Sequence, residues 1–356
     1  MKKICFELDI DAIKPDMIVG KNVLCEGRLL LSKGTVIKPS YVEYLKARGV
    51  PRITVLAEKA FYGELLANPV ERFYTETYEA VSEIIDGFKN DEPLSTAQIF
   101  PVAERILEAV HLHQHSMLLL TGFGGICDYE YAHSLDVCIY SLIAAKALQL
   151  PNETLVTLAL GALLHDVGKT KIADAILAKQ GPLTEAEFAE AKKHARLGYE
   201  LVQKVAGIKP NVARIVLQHH ERCDGSGYPD GLRGAAISPL AKIVAVADIY
   251  DALTSDRAYN KKILPHEAAE YLLCISNTLI DPQIATVFLK HIAIYPRGCQ
   301  VLLNSKEVAV VLDSNENMPL RPLLKVITDR RGNPLVRPFV LDLQNHSQAF
   351  ITGIFK

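Results

Sequence analysis

Five of the eleven histidines, His133, His165, His194, His219 and His220, fall within one 88-residue stretch. Imidazole is a favoured ligand for transition metals, so this density directs attention to a metal centre. The sharpest local pattern is Leu163-Leu164-His165-Asp166-Val167-Gly168-Lys169, an ionisable pair at the end of an apolar run. Such a pair is expensive to bury unless something compensates it. Adjacent helical residues diverge by about 100°, so His165 and Asp166 converge on one point only where a helix ends. Gly168 offers that ending, and Lys169 places a cation where an anionic ligand would sit.

A second pattern is His219-His220-Glu221-Arg222-Cys223-Asp224-Gly225-Ser226-Gly227-Tyr228-Pro229, two histidines followed by a glycine-rich loop that lets backbone approach a ligand. The bland alternative, that Gly225 and Gly227 are turn glycines, stays open. Asp248 lies inside the apolar run Val244-Ala245-Val246-Ala247-Asp248-Ile249-Tyr250-Asp251 and needs a cation or a hydrogen-bond partner there. The tract His111-Leu112-His113-Gln114-His115 lacks an accompanying ligand set and reads as the polar end of a helix. His266, His291 and His346 read as structural.

The elements that must position these residues are mostly helical. Residues 117–292 carry helical periodicity almost throughout, with Thr184-Glu185-Ala186-Glu187 as a capping box. Residues 59–116 read as linker helices, over Val70 to Phe88 and Thr96 to His115. Residues 1–58 read as a small α+β module: two short strands in Met17 to Leu31, a capping box at Ser40-Tyr41-Val42-Glu43 opening a helix that Gly49 closes, and a strand over Ile53 to Leu56. Residues 293–356 form a β-rich tail, with strands at Val301 to Leu303, Val308 to Leu312, Leu323 to Thr328 and Leu335 to Leu341. The fold class is therefore mainly α.

With 356 residues, 49% hydrophobic and 22% charged, the chain can bury a large core without disulfides. Its 39 basic against 41 acidic residues exclude the basic excess of a protein that coats a nucleic acid polymer. The seven cysteines are odd in number, scattered and without a CxxC pair. With no signal-peptide pattern at Met1-Lys2-Lys3-Ile4, they are expected to be reduced thiols of a cytoplasmic protein. The most apolar stretches, Met117 to Leu120 and Leu155 to Leu164, fall short of the roughly 20 residues that span a bilayer.

These motifs resemble the HD-GYP family, a branch of the HD hydrolase superfamily. The likeness rests on His133-Ser134, His165-Asp166-Val167-Gly168-Lys169, His194, His219-His220-Glu221, Asp224-Gly225-Ser226-Gly227-Tyr228-Pro229 and Asp248 through Arg257, in family order across about 130 residues, with the helical domain covering roughly half of the chain. It implies an HD-superfamily helical bundle acting as a metal-dependent phosphodiesterase on cyclic di-GMP. His133, His165, Asp166, His194, His219, His220 and Asp248 would ligate two divalent metals, with Asp166 bridging. Lys169 and Arg257 would hold phosphate, and Gly225, Gly227 and Tyr228 would lie against the substrate. An imidazole and carboxylate set suits Fe, Mn or Zn better than Mg or Ca, and Fe or Mn is expected. Two metals about 3.5–4 Å apart would lower the pKa of a bridging water. That hydroxide would attack phosphorus to give pGpG, with GMP the product of a second cut.

In family members with three metals, a Glu stands where this chain has Tyr129; Glu130 follows, and a dinuclear site is expected. Cys223 replaces a common Trp, and Asn260 a frequent basic residue. These departures keep a second expectation alive, a weakly active cyclic dinucleotide sensor or protein-interaction module that retains the metals. A third keeps the hydrolase and changes the substrate to cyclic GMP-AMP. The family also implies a GGDEF-domain partner at the GYP loop, and a homodimer is a further expectation.

Overall fold

The computed structural model describes residues 3–25, 28–58, 69–121, 129–179, 181–255, 263–292, 295, 298–313, 315, 318 and 320–355. They form two compact units, one of residues 1–79 with 122–132 and one of residues 80–121 with 133–356.

In the smaller unit, strands β1 (Lys3–Asp9), β2 (Ile18–Val19), β3 (Val23–Cys25) and β4 (Arg28–Leu31) precede helix α1 (Pro39–Ala47) and strand β5 (Arg52–Glu58). An antiparallel sheet runs in the order β1-β5-β2, and β3 and β4 pair as a hairpin. The span Met17 to Leu31 thus holds three strands where two are expected. The Ser40 capping box does not form. Helix α1 begins at Pro39, whose fixed φ suits a first helical position, and its N-cap is Lys38, two residues before Ser40 and without a side-chain bond.

Helices α2 (Pro69–Lys89) and α3 (Thr96–Leu120) follow, then α4 (Tyr129–Ala147) and α5 (Asn152–Leu164), and a 3-10 turn over Val167–Lys171. Next come α6 (Asp174–Leu177), α7 (Glu185–Lys192), α8 (His194–Gln203), α9 (Pro210–Gln218), α10 (Pro239–Thr254), α11 (Pro265–Ile275) and α12 (Pro282–His291). The expected linker segment 59–68 lies outside the described residues. The box at Thr184 forms as expected: Thr184 Oγ1 accepts from Glu187 N at 3.3 Å, and Glu187 Oε2 accepts from Thr184 N at 2.7 Å. Helix α3 departs from helical geometry at His113, within the histidine tract.

The larger unit is built around helices that are apolar on every side. In α4 every residue from His133 to Ala145 is buried, in α5 nearly every one from Leu155 on, and in α10 most from Ala241 to Asp251. A helix apolar all round belongs in a core. Any ionisable residue on it must find its partners inside. Helix α9 packs on both α5 and α10, and α8 packs on α9 and the 3-10 turn.

The tail is a five-stranded antiparallel sheet of β6 (Gln300–Leu303), β7 (Val308–Asp313), β8 (Leu323–Thr328), β9 (Pro334–Asp342) and β10 (Ile351–Phe355), ordered β10-β6-β7-β8-β9. Four strands follow the expected spans. The fifth, β10, has Gly353 and a register shift where it pairs with β6, which hides its alternation in the sequence. No helix among the described residues is long and apolar enough to cross a membrane.

Candidate metal centre

Helix α5 stops at Leu164, and the chain then turns so that His165 and Asp166 aim at one point. The turn is possible because Gly168 lies directly on α8. A Cβ there would come 1.9 Å from His194 O and 2.5 Å from Gly198 N. His194 opens α8, His219 and His220 follow the end of α9, His133 comes from α4, and Asp248 from α10. All seven sequence-derived ligand candidates therefore meet at one place in the larger unit.

They form two groups: Asp166, His194, His219 and His220, and His133, His165 and Asp248, with the ligand atoms of each within 4.8 Å of one another. Asp166 faces both. Its Oδ1 lies 3.3 Å from His194 Nε2 and 3.8 Å from His219 Nε2, and its Oδ2 lies 3.4 Å from His165 Nε2 and 3.5 Å from His133 Nε2. Asp248 also spans them, with Oδ1 3.2 Å from His133 Nε2 and Oδ2 3.7 Å from His220 Nδ1.

Whether metal ions fit is tested by the atoms that lack partners. His165, His194 and His219 each hold Nδ1 at 2.7 Å from a backbone carbonyl, of Ala162, Ala191 and Val216 respectively. His133 holds Nδ1 2.6 Å from Asp251 Oδ2. Each ring therefore donates through Nδ1 and turns an Nε2 lone pair inward, the arrangement that orients ligating histidines. Nε2 of His165 lies 3.3 Å from that of His133, and Nε2 of His194 lies 3.4 Å from that of His219. Inward lone pairs repel unless a cation lies between them. Asp166 Oδ1 is buried without a hydrogen-bond partner. The residues fit divalent metals.

Electrostatics agree. Burial favours the neutral ring of His133, but Asp166, Asp248 and Asp251 outweigh it and hold its pKa well above the usual histidine range. The pocket thus calls for positive charge at that position. Burial pushes His194 down to about 4 and lowers His219 and His220, which keeps those rings in the neutral, ligating form. Burial also opposes the charged form of Asp166, yet Lys169 and His165 hold its carboxyl well below the usual range. Lys169 Nζ reaches Asp166 Oδ2 directly.

Comparison with known proteins follows the same residues. The family model for an HD domain matches residues 129–284, and the model for a KOW domain associated with HD domain matches 300–356. A cyclic di-GMP phosphodiesterase of Pseudomonas aeruginosa is 35% identical over 272 residues, 76% of this chain and 65% of that protein. The cyclic di-GMP phosphodiesterase response regulator RpfG of Xanthomonas campestris is 44% identical over 149 residues, 42% of this chain and 39% of RpfG. A 3'3'-cGAMP-specific phosphodiesterase of Vibrio cholerae is 30% identical over 244 residues, 65% of this chain and 52% of that protein. The chain thus spans between about two-fifths and just under two-thirds of these relatives. An HDG"Y"P protein from Bdellovibrio bacteriovorus shares the fold, with a TM-score of 0.52 and 19% identity over 80% of this chain and 98% of that one. Residues 129–284 carry an HD domain, whose motifs resemble those of the HD-GYP branch.

Within this HD domain, two acidic residues support the centre without having been singled out by sequence. Asp251 orients His133, and it sits one helical turn after Asp248 on α10, a spacing that could have revealed it. Glu221, 3% exposed, accepts from Asp230 N and Leu232 N, both at 2.8 Å, and so fixes the GYP loop from within. No local signal separates that role from ligation. Gly227 is required by the same fold, since a Cβ there would meet Arg222 N at 2.3 Å and His220 O at 2.5 Å. At Gly225 a Cβ would meet the Arg233 side chain. Tyr228 tilts over His220 with ring centroids 4.7 Å apart. Glu130 stands exposed in the first turn of α4, in the smaller unit. Arg257 and Asn260 lie outside the described residues.

Proposed function

We propose that this chain is a metal-dependent phosphodiesterase that opens cyclic di-GMP to pGpG, with GMP as the product of a second cut. The observation that carries the reading is Asp166, whose two carboxylate oxygens serve two adjoining ligand groups within one buried centre. The names of the Pseudomonas and Xanthomonas relatives support the substrate class. His133, His165, Asp166 and Asp248 would hold one ion, and Asp166, His194, His219 and His220 the other. Iron or manganese best suits this imidazole-rich set. Two such ions would supply Lewis acidity toward a phosphoryl oxygen and acidify water at neutral pH.

The protein's own contribution is position and charge. Five imidazoles arrive with ring nitrogens converging on the centre, four of them held by a hydrogen bond at Nδ1. That leaves little reorganisation at the moment of reaction. Lys169, a quarter exposed beside Asp166, is placed to offset charge that builds on a phosphate oxygen. A second reading keeps the reaction and exchanges the substrate for cyclic GMP-AMP, favoured by the 30% identity to the Vibrio cGAMP-specific enzyme.

The test is oxygen-free purification, loading with Fe(II) or Mn(II), and chromatography of cyclic di-GMP and cyclic GMP-AMP incubated with wild type and Asp166→Ala. Wild type is expected to form pGpG, and the variant to form none. Two metals bound per chain with cyclic di-GMP retained intact would overturn the hydrolase in favour of a sensor.

A further inference from the structure

Helix α7 has no evident packing reason for its outward side chains. None of its residues is fully buried, yet Phe188 is 49% exposed and Lys192, one turn later, points along the same face. A lone exposed Phe is unremarkable. This one is the end of a connected series that starts at the metal ligands. The Tyr228 ring lies 4.7 Å from His220, Lys192 Nζ lies 5.7 Å from the Tyr228 ring, and the same Nζ lies 4.5 Å from the Phe188 ring. Lys192 forms no ion pair among the described residues, whereas Lys179 and Lys193 are paired with Glu187 and Glu190.

A cation without a carboxylate partner, set between two aromatic faces, recognises a nucleotide: a base stacks on a ring and an ammonium takes a phosphate. We propose that Phe188 and Lys192 form the outer subsite of the centre, where Phe188 stacks a purine and Lys192 binds the phosphodiester of the substrate that is not being cut. This rests on the reading of the substrate as a cyclic dinucleotide. A ring with two phosphodiesters presents only one of them to the metals, and the other half must lie along whatever flanks the centre. Tyr228 joins the two subsites, since its ring lies against His220 and within 5.7 Å of Lys192 Nζ.

The experiment measures cyclic di-GMP affinity by calorimetry and steady-state kinetics in the metal-loaded full chain, for wild type, Phe188→Ala, Phe188→Trp, Lys192→Gln and Lys192→Arg. Bis(p-nitrophenyl) phosphate, which carries one phosphodiester and no purine, serves as the second substrate. Phe188→Ala and Lys192→Gln are each expected to weaken binding by about 5–100-fold, the range for losing one stacked base or one charged contact. The loss falls on Kd and KM, and is several-fold larger for cyclic di-GMP than for bis(p-nitrophenyl) phosphate. Phe188→Trp and Lys192→Arg restore most of the affinity. Equal losses on both substrates, or unchanged Kd in Phe188→Ala and Lys192→Gln, overturn the subsite. A wild type that binds cyclic di-GMP without cutting it overturns the hydrolase, and the Kd series then still decides the subsite. A wild type that binds no cyclic dinucleotide overturns both.

Discussion

Asp166 and Asp251 separate two kinds of work done by carboxylates in one pocket. Asp166 offers an oxygen to each ligand group and leaves Oδ1 without a hydrogen-bond partner. Asp251, fully buried, spends its charge on the far nitrogen of His133. Asp166→Asn keeps the shape and removes the charge that both groups share. Metal content measured by elemental analysis is expected to fall from two ions per chain to one or fewer, and turnover by at least about 100-fold, since even the partners of ligands cost 10–100-fold. Asp251→Asn retains an oxygen that accepts from His133 Nδ1 but loses the charge. Its metal affinity, followed by competition with a chelating dye, should drop by about 10–100-fold while the metal-free melting temperature changes little. An Asp251→Asn chain with unchanged affinity would assign that residue to packing alone.

At the scale of elements, the centre depends on a join between the 3-10 turn and α8 that has no space to spare. Gly168→Ala would drive a methyl into His194 O, and backbone has to move to accept it. Overpacking of this kind costs about 1–3 kcal/mol, or roughly 2–12 °C in the melting temperature of a domain this size. The displacement acts directly on His194, so metal content should fall with stability. A melting temperature within 1 °C of wild type would show that the join relaxes freely. The spacing of His165, Asp166, Gly168 and Lys169 is thus partly a packing rule: Asp166 faces both ligand groups, Gly168 lets α8 approach, and Lys169 returns to Asp166. The GYP loop follows a similar division. Glu221 ties its backbone, Gly227 gives clearance, the backbone N–H of Cys223 bonds Leu279 O at 2.9 Å, and Arg196 of α8 holds Asp230.

For the whole molecule, the candidate ligands are contributed by α4, α10 and the ends of α5 and α9, together with the start of α8, so a bound metal would cross-link most of the helical core. Any species that binds only the folded state stabilises it by mass action. At free metal about 100-fold above Kd, each site contributes about 2.7 kcal/mol, roughly 5–11 °C. Chelation followed by calorimetry should lower the melting temperature by at least that much, and Asp166→Asn should largely erase the difference between metal-free and metal-loaded protein. A chelator that leaves the melting temperature unchanged in wild type would remove the metals from the structural account. The tail contributes a separate sheet whose edge strand β9 exposes Val336, Phe339 and Val340, interrupted by Pro338 and Arg337. Proline and charge on an edge strand discourage pairing with other chains.

How much of this was legible without coordinates depended on the range of the interaction concerned. The helical core, four tail strands and the Thr184 box follow from local pattern, because periodicity and capping are settled within a few residues. The seven ligand candidates stood out because an ionisable residue in an apolar helix contradicts its surroundings and demands a partner. The Ser40 box failed where a neighbouring Pro39 supplied a competing helix start. Strand β10 escaped notice because its shifted register is written in β6, some fifty residues away. The sequence by itself determined which residues could ligate and which elements would carry them. Only the tertiary structure decided that Asp166 faces both groups, that Asp251 orients His133, that Glu221 braces a loop, and that Lys192 stands between two aromatic rings. Those outcomes depend on distances between residues far apart in the chain, which packing of the helices sets and no local pattern records.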